Sequence, residues 1–386
     1  MSANSTYSNK SMSKSDSTQV TNPIDYNLLG NRIGTIIYSI IYAFGFIGNL
    51  LALITFSSRR MRKISSSIFL LALAISDTIA LITSIWFFLA DAFNIQLQNY
   101  SALACRFRTF FAYLFMDLSS WCMAGLAIDR YLRTRMPVAS KKLCTPRNAS
   151  LTIVGFVVIL SGINGHYFSP AIGQERGNNR TTAHCLENRD QYPKYFYFYK
   201  IIWPKIDMII FCFLPACIMI LCNVNIICIL KQHRRQMQNT NNDSTELVQI
   251  PLHKSQTSNG STTSNKKVNF TQRKALERQM SLMMAACVIV FLCTTVPVTI
   301  YVIIMERLIV TNPMYARDRS FLIFVFRMLR ALMFVHFGSN FYLYCLTSRI
   351  FRAEFIEAIT CRKYVIPLPN EPTFVLQTIK SIETEK

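Results

Sequence analysis

The chain has 386 residues, of which 51% are apolar and 16% are charged, and its formal net charge is +21. A soluble domain of this length would carry about a quarter charged residues, so the composition excludes an ordinary soluble protein. The positive charge could indicate nucleic-acid binding, but it is concentrated in short segments beside apolar runs, which argues against nucleic acid as a partner.

The amino-terminal segment, residues 1–31, is polar and rich in Ser, Asn and Thr, which predicts a disordered extracellular tail. It has no apolar core, so we do not expect a cleavable signal peptide. Asn-x-Ser/Thr triplets on the predicted outer side provide four candidate glycosylation sites. These are Asn4, Asn9, Asn99 and Asn179.

Seven apolar runs follow, and each is close to the ~20 residues needed to cross the hydrocarbon core of a bilayer. They are Ile33–Phe56, Ile68–Ala90, Ala102–Ile128, Leu151–Ala171, Ile201–Leu230, Ser281–Ile304 and Phe321–Leu346. We call them spans one to seven. They predict an all-α membrane protein, a seven-transmembrane helix bundle over residues 32–347.

Basic residues set the orientation of this bundle. They cluster after span one, at residues 59–63, and after span three, at residues 130–147. Positively charged short segments stay in the cytoplasm, so an odd number of spans puts the amino terminus outside and the carboxyl terminus inside. We therefore expect a multi-pass protein of the plasma membrane.

Of the twelve cysteines, only Cys105 and Cys185 fall on predicted extracellular segments. Two thiols alone in an oxidising compartment should pair. The predicted disulfide joins the outer end of span three to the loop between spans four and five.

Two cytoplasmic segments flank the last spans. Residues 231–273 are rich in Asn, Gln, Ser and Thr, which predicts a disordered third cytoplasmic loop. Residues 348–361 place Phe351, Phe355 and Ile359 on one helical face, as in an amphipathic helix on the membrane surface. Cys361 ends this helix, where palmitoylation would anchor it, and residues 362–386 form a cytoplasmic tail. An unmodified cytosolic cysteine is the alternative.

An acid and a base stand side by side at the inner end of span three. Arg130 lies about 37 Å from Cys105 along a helix, close to the thickness of a bilayer with its headgroups. Glu277 lies about 30 Å inward of Pro297 in span six, at the same rim. Arg130 could therefore bridge Asp129 and Glu277 as a latch that small displacements break. The alternative is one more cytoplasmic positive charge.

Further motifs stand in order on the predicted spans. They are Gly48-Asn49, Leu73-Ala74 with Asp77, Asp129-Arg130-Tyr131, Pro215, Asn340 with Tyr344, and Phe351-Arg352. Because of these motifs, the chain resembles a rhodopsin-like (class A) G-protein-coupled receptor over almost its whole length.

That resemblance implies a mechanism. An agonist bound outside moves span six outward, and this opens a cavity for a heterotrimeric G protein. Asp129, Arg130, Tyr131 and Glu277 would form the switch at the inner end. Pro215, Pro297, Asn340 and Tyr344 would transmit the motion. Arrestin and receptor kinases are expected partners of the Ser/Thr-rich cytoplasmic segments, and membrane lipid surrounds the bundle.

The chain departs from the family pattern in the middle of the membrane. Thr295 replaces a tryptophan of span six, Phe341 replaces a proline of span seven, and Asn223 replaces a tyrosine of span five. Span four also lacks its usual tryptophan. The coupling of ligand to helix motion is therefore expected to differ from that of the family.

Asp77 lies near mid-membrane, where ionisable groups are usually functional. It could form a polar core with Asn49 and Asn340, or it could hold a sodium ion together with Ser119. No other cofactor and no further metal site is expected.

Single residues exclude two ligand classes. The family's retinal-binding lysine is replaced by Phe334, and the aspartate of its amine receptors by Ala112. The predicted pocket carries other charges and aromatic rings instead. Its residues are Arg108, Ala112, Tyr113, Asp117, Trp203, Asp207, Tyr301, Arg327 and Arg330. Internal pairs such as Arg330 with Asp117 are the alternative use of these charges.

A pocket of mixed charge suits a peptide with a basic side chain and an acidic or amide end. The sequence of span seven and the surface helix also resembles that of neuropeptide receptors of the FMRFamide-like and related groups. The alternatives are a chemosensory receptor for a small molecule and a membrane transporter, although internal repeats expected of a transporter are absent. An enzyme is not expected, because the sequence has no cluster of metal ligands and no nucleophile with a base.

Overall fold

Long apolar helices dominate the fold. The computed structural model describes residues 25–59, 61–93, 95, 101–176, 182–187, 190–246, 260–311 and 319–360. Within that part of the chain, seven helices are long and apolar enough to cross a membrane. They confirm the predicted seven-transmembrane bundle. The glycosylation candidates Asn4, Asn9, Asn99 and Asn179 and the lipidation candidate Cys361 lie outside the described residues.

The seven spans lie where the apolar runs predict them. They are Tyr26–Phe56, Ser65–Ala90, Ala102–Arg135, Pro146–Phe168, Pro193–Gln232, Ser281–Met305 and Ser320–Thr347. Span one begins earlier than predicted, so residues 26–31 are helical and do not belong to a disordered tail. The reason is Asp25, whose carboxylate accepts hydrogen bonds from the backbone N–H groups of Asn27 and Leu28 and caps the helix.

Span five is irregular. Its helical segments, Pro193–Tyr197, Trp203–Asp207 and Leu214–Glu246, are separated by wider π-helical turns at Phe198–Ile202 and Met208–Phe213. Each wide turn precedes a proline, which has no backbone N–H to donate to the preceding turn. The arrangement brings Trp203 and Asp207 to the same cavity wall.

The loop between spans four and five forms a β-hairpin on the outer end of span three. Strand β1 (Ile172–Arg176) pairs antiparallel with strand β2 (Thr182–Glu187). Gly173 has φ +77° and lies so close to Ala102 that a Cβ there would be 2.9 Å from the Ala102 Cα. The Cys105–Cys185 disulfide forms as predicted, with a Cα–Cα distance of 5.5 Å.

At the cytoplasmic side, the helix of span five continues to Glu246. The helix of span six already begins at Gly260. Residues 231–246 and 260–273 are therefore helical, which differs from the predicted disordered loop over 231–273. Once a span has nucleated a helix, each added residue gains a hydrogen bond at small entropic cost. Residues 247–259 lie outside the described part.

The amphipathic surface helix is present as Arg349–Thr360. Its apolar face packs on Phe341, whose ring centroid lies 5.6 Å from that of Phe351 and 5.1 Å from that of Phe355. Span seven runs unbroken through Phe341, as expected where phenylalanine replaces a helix-breaking proline. The residue that removes the kink thus also attaches the surface helix.

Spans one and seven are in backbone contact at two glycines. A Cβ added at Gly338 would lie 2.9 Å from the Cα of Gly45, and backbone atoms cannot move aside as a flexible side chain can. We expect Gly338→Ala to separate the spans and to destabilise the protein by about 1–3 kcal/mol. Thermal unfolding of the purified protein in detergent measures this loss.

Gly162→Ala in span four is the matched control, because an added Cβ there has no atom within 4 Å. It should be neutral, or stabilising by up to about 1 kcal/mol, since alanine favours helix more than glycine does. Equal melting temperatures for the two variants would contradict the proposed contact.

Candidate functional site

A cavity of about 340 Å³ opens among spans two, three, five, six and seven near the hairpin. Ile172 and Cys185 of the outer loop contribute to its wall. Most of the predicted pocket residues line it. They are Arg108, Ala112, Tyr113, Asp117, Trp203, Asp207 and Arg330.

Two predicted pocket residues are not among its lining residues. The Tyr301 hydroxyl donates to the carbonyl of Leu322 at 2.7 Å, and Arg327 donates to the side-chain oxygen of Asn31. Both therefore join neighbouring segments to each other. The assignment of Tyr301 and Arg327 to the ligand pocket therefore stays a prediction, since the rotation of spans six and seven about their axes cannot be read from depth alone.

The two cavity arginines share an aromatic ring. The guanidinium carbon of Arg330 lies 3.8 Å from the centroid of Phe87, and that of Arg108 lies 4.4 Å from it. Such cation–π contacts stabilise a desolvated cation by about 2 kcal/mol. Arg330 also donates to the Tyr38 hydroxyl at 3.3 Å. Phe87 was missed in the sequence, where nothing distinguishes it from a lipid-facing phenylalanine.

The ion pair between Arg330 and Asp117, considered as the alternative use of these charges, does not form. Asp117 is 2% exposed, and its Oδ2 accepts a hydrogen bond of 2.8 Å from the side-chain amide of Asn164. Asp207 lines the same cavity. Asn164, which is fully buried in span four, was also missed, although an asparagine within an apolar span is a usable signal.

The predicted polar core forms around Asp77, which is fully buried. Its Oδ1 accepts from the Ser119 hydroxyl at 2.5 Å, and its Oδ2 accepts from the Asn340 amide at 2.7 Å. Asn49 bonds elsewhere, to the carbonyl of Phe337 at 3.0 Å. The carboxylate therefore connects spans two, three and seven, and the hydrogen bond of Asn49 connects span one to span seven.

Polar side-chain atoms beside this core have no hydrogen-bond partner among the described residues. They are Oδ1 of Asn340 and the ring nitrogens of His336, which is 1% exposed. The His336 ring contacts Phe291 of span six, with centroids 5.0 Å apart. With Asp77 and Ser119, the free amide oxygen provides the oxygen ligands that hard cations prefer.

At the inner rim, Asp129 is held by donors from two spans. Ser65 and Ser66 of span two donate to its two oxygens, and Arg133 forms an ion pair with it at 3.1 Å. Arg133 also donates to the Ser65 hydroxyl at 2.6 Å and to the Cys144 carbonyl at 3.0 Å. These partners were not predicted; Arg130 was the only predicted partner of Asp129.

Cys144 lies in the loop after span three and joins this network. Its thiol donates to the backbone carbonyl of Asp129 at 3.7 Å. Burial, with the nearby Asp129 carboxylate, raises the pKa of the Cys144 thiol to about 11. The thiol is therefore protonated at neutral pH, as its role as donor requires.

The other predicted switch residues lie at the inner ends of spans three, six and seven. Arg130 and Tyr131 are half-buried at the inner end of span three, and Tyr344 is buried between Phe56 and Phe351. Glu277 belongs to the helix Gly260–Thr311, but its side chain lies outside the described residues. The latch between Arg130 and Glu277 stays a prediction.

Spans five and six meet at the position of the missing tryptophan. Thr295 is fully buried, donates to the carbonyl of Phe291 at 2.6 Å and lies 3.6 Å from the Cys212 sulfur. Pro215 is buried less than one turn after Cys212 in span five, and Pro297 is half-buried within the span-six helix. A small polar contact thus occupies the place where the family carries a large ring.

Comparison with known proteins adds two findings. A family model described as "7 transmembrane receptor (rhodopsin family)" matches residues 48–344. Galanin receptor type 2 of Mus musculus is 29% identical over 150 residues, which are 38% of this chain and 39% of that receptor. Galanin receptor 2b of Danio rerio is 32% identical over 128 residues, 33% of each chain.

A third similar protein is the "Galanin-like G-protein coupled receptor npr-9" of Caenorhabditis elegans. It is 31% identical over 132 residues, which are 33% of this chain and 30% of that receptor. The chain therefore matches about a third of the length of these curated relatives.

Proposed function

The chain belongs to the rhodopsin family of seven-transmembrane receptors, and from that membership we propose that it binds an extracellular peptide and activates a heterotrimeric G protein. Family membership makes it a multi-pass membrane receptor; it is neither a transporter nor an enzyme. The observation that carries the proposal is the cavity near the hairpin, with charged side chains of both signs on its wall.

A peptide is favoured over other ligand classes on two grounds. The similar proteins include receptors named for galanin. The cavity combines two arginines and two aspartates with aromatic rings, which suits a polar ligand with charged groups better than a neutral volatile molecule. Its 340 Å³ are at the small end for ligand cavities, so it would take one end of a peptide while the hairpin meets the rest.

The inner face supports coupling to a G protein. Arg130, half-buried beside the Asp129 network, would meet the carboxyl-terminal segment of a G protein when span six moves outward. The basic loops flanking it support a cytoplasmic location for this end and an extracellular one for the amino terminus. The latch with Glu277 would keep the receptor inactive until an agonist binds.

Further partners follow from the same arrangement. A sodium ion could bind Asp77, Ser119 and Asn340 as an allosteric ligand, since their oxygen atoms suit a hard cation. The exposed Ile356 and Ile359 of the surface helix would face lipid, with palmitoylated Cys361 at its end. Receptor kinases and arrestin would act on the Ser/Thr-rich cytoplasmic segments.

The test is a peptide library applied to cells that express the receptor and a G-protein dissociation sensor. We expect at least one responder, whose potency falls at least about tenfold in Arg330→Ala, because the loss of a desolvated charged contact costs more than 1.4 kcal/mol. Arg327→Ala is the matched control, since Arg327 bonds to Asn31 and is not among the cavity residues.

Equal potency in Arg330→Ala would remove that residue from the binding site. Responses confined to small odorant-type molecules would favour the chemosensory alternative over a peptide receptor.

A further inference from the structure

The charged residues of the cavity are sorted by depth. Ser119 and Asn340 both bind Asp77, so they mark one depth on spans three and seven. Counted outward at 1.5 Å per residue, Arg108 and Arg330 lie about 15 Å above that depth. Asp117 lies only about 3 Å above it.

Asp207 shares the depth of Asp117. The indole N–H of Trp121 donates to the carbonyl of Ile210 at 3.2 Å, which aligns spans three and five. Asp117 lies about one turn outward of Trp121, and Asp207 lies about one turn outward of Ile210. The cavity therefore has a cationic pole near the outside and an anionic pole whose residues lie about 12 Å deeper along the helix axes.

This distance explains why the poles do not neutralise each other. Among the described residues, neither Arg108 nor Arg330 has a carboxylate within 4 Å, and both rest on the Phe87 ring instead. Nε of Arg108, Oδ1 of Asp117 and Oδ1 of Asn164 are buried without a hydrogen-bond partner in that part of the chain. Buried charges with unused bonding capacity are costly unless opposite charges meet them.

We propose that the cavity binds a ligand end with two charges, a carboxylate at Arg108 and Arg330 and a basic group at Asp117 and Asp207. The inference rests on the proposed receptor function and extends it to the orientation and charge of the ligand. Two guanidinium groups bind a carboxylate through paired N–H donors, which an amide cannot match. The carboxylate and the base would be separated by three or four extended residues, or fewer where a long basic side chain covers part of the 12 Å.

The sequence left open whether the shallow end of the ligand is acidic or amidated. The two arginines, which no carboxylate of the described residues pairs, select the acidic form. The deep end suits a lysine or arginine side chain or an amino terminus, because the Asp117 and Asn164 oxygens accept hydrogen bonds. Trp203, which is 5% exposed and whose N–H has no partner among the described residues, adds one donor to the same wall.

Four matched pools of mixed-sequence tetrapeptides test the proposal. They contain either arginine or uncharged citrulline, and end in either a carboxylate or an amide. The readout is the melting temperature of the purified full-length receptor, which needs no G protein. The pool with arginine and a carboxylate should stabilise the receptor at concentrations at least tenfold lower than any other pool.

Variants assign each charge to its pole. Arg330→Gln should lose the preference for carboxylate over amide while it keeps the preference for arginine over citrulline. Asp207→Asn should show the reverse pattern, and Arg327→Gln should retain both preferences. Arg108→Gln and Asp117→Asn repeat the two tests if a first variant does not fold.

The proposal is overturned if the doubly charged pool gives no stabilisation, if all pools stabilise equally, or if the two variants lose the opposite preferences. Failure of the proposed function would look different, since peptides would then activate no G protein in cells whatever the melting data show. A receptor that responds to peptides but ignores these charge changes would keep its function and lose only this assignment.

Discussion

Asp129→Ala is expected to lower the free energy of unfolding by about 3–5 kcal/mol, which corresponds to a fall in melting temperature on the order of 5–10 °C. The carboxylate is 5% exposed and accepts from Ser65, Ser66 and Arg133. Its removal leaves two hydroxyl groups and a guanidinium at a largely dry contact between spans two and three. Thermal unfolding of the purified variant measures the loss.

Arg133→Gln provides a graded comparison. Its side chain is 35% exposed, so solvent already screens the ion pair and we expect a loss of only about 1 kcal/mol. The two substitutions should be non-additive when combined, because Arg133 and Asp129 share one network. A full additive loss in the double variant would show that the two residues stabilise the fold independently.

Asp129→Ala also tests the predicted switch at the inner end of span three. If Asp129 also restrains Arg130, then Asp129→Ala should raise ligand-free nucleotide exchange on a G protein, and so should Glu277→Ala. Glu277→Ala should do so with a smaller loss of stability, since a latch residue is released during normal activation. Unchanged basal exchange in a well-expressed Glu277→Ala variant would count against the latch.

Helix positions along the membrane normal could be predicted well from the sequence, because 1.5 Å per residue and the bilayer thickness fix depth. This reasoning placed Asp129, Arg130 and Glu277 at the inner rim and Asp77 near mid-membrane, whereas the resemblance to the receptor family supplied Ser119, Asn340 and the pocket positions. The Cys105–Cys185 disulfide followed from topology alone.

Rotation about the helix axis could not be predicted as well. Arg327 and Arg330 are nearly one turn apart, yet only Arg330 lines the cavity while Arg327 bonds to Asn31. Which face turns inward depends on packing between spans, for example on the contact of Gly45 with Gly338, and such contacts leave no local signal. Phe87 was missed for the same reason.

The partners of Asp129 show a related limit. Adjacency in sequence suggested Arg130, but neighbouring residues on a helix point about 100° apart, whereas residues four apart share a face. Arg133 therefore reaches the Asp129 carboxylate from the same face of the helix, and Ser65 and Ser66 donate to its two oxygens. The i, i+4 spacing of Asp129 and Arg133 was present in the sequence and could have been used.

Asp77→Ala is expected to destabilise the receptor by about 3–5 kcal/mol, because hydrogen bonds to a charged group contribute about 1.5–3 kcal/mol each. The substitution removes the acceptor of both Ser119 and Asn340 at the junction of spans two, three and seven. Ser76→Ala is the matched control: Ser76 is equally buried, but its hydroxyl donates to Ala72 within its own helix. The control should change the melting temperature little.

Asp77→Asn separates the structural role of this group from its charge. The amide keeps the shape of the side chain and can still accept from one donor, so we expect a smaller loss than in Asp77→Ala. If sodium binds here, NaCl should stabilise the wild-type receptor relative to choline chloride, by about 2.7 kcal/mol when sodium is at 100 times its Kd. Asp77→Asn should abolish that difference, because the carboxylate supplies the only formal negative charge of the described polar core. A sodium effect that survives Asp77→Asn would place the ion elsewhere and leave Asp77 as a purely structural bridge among three spans.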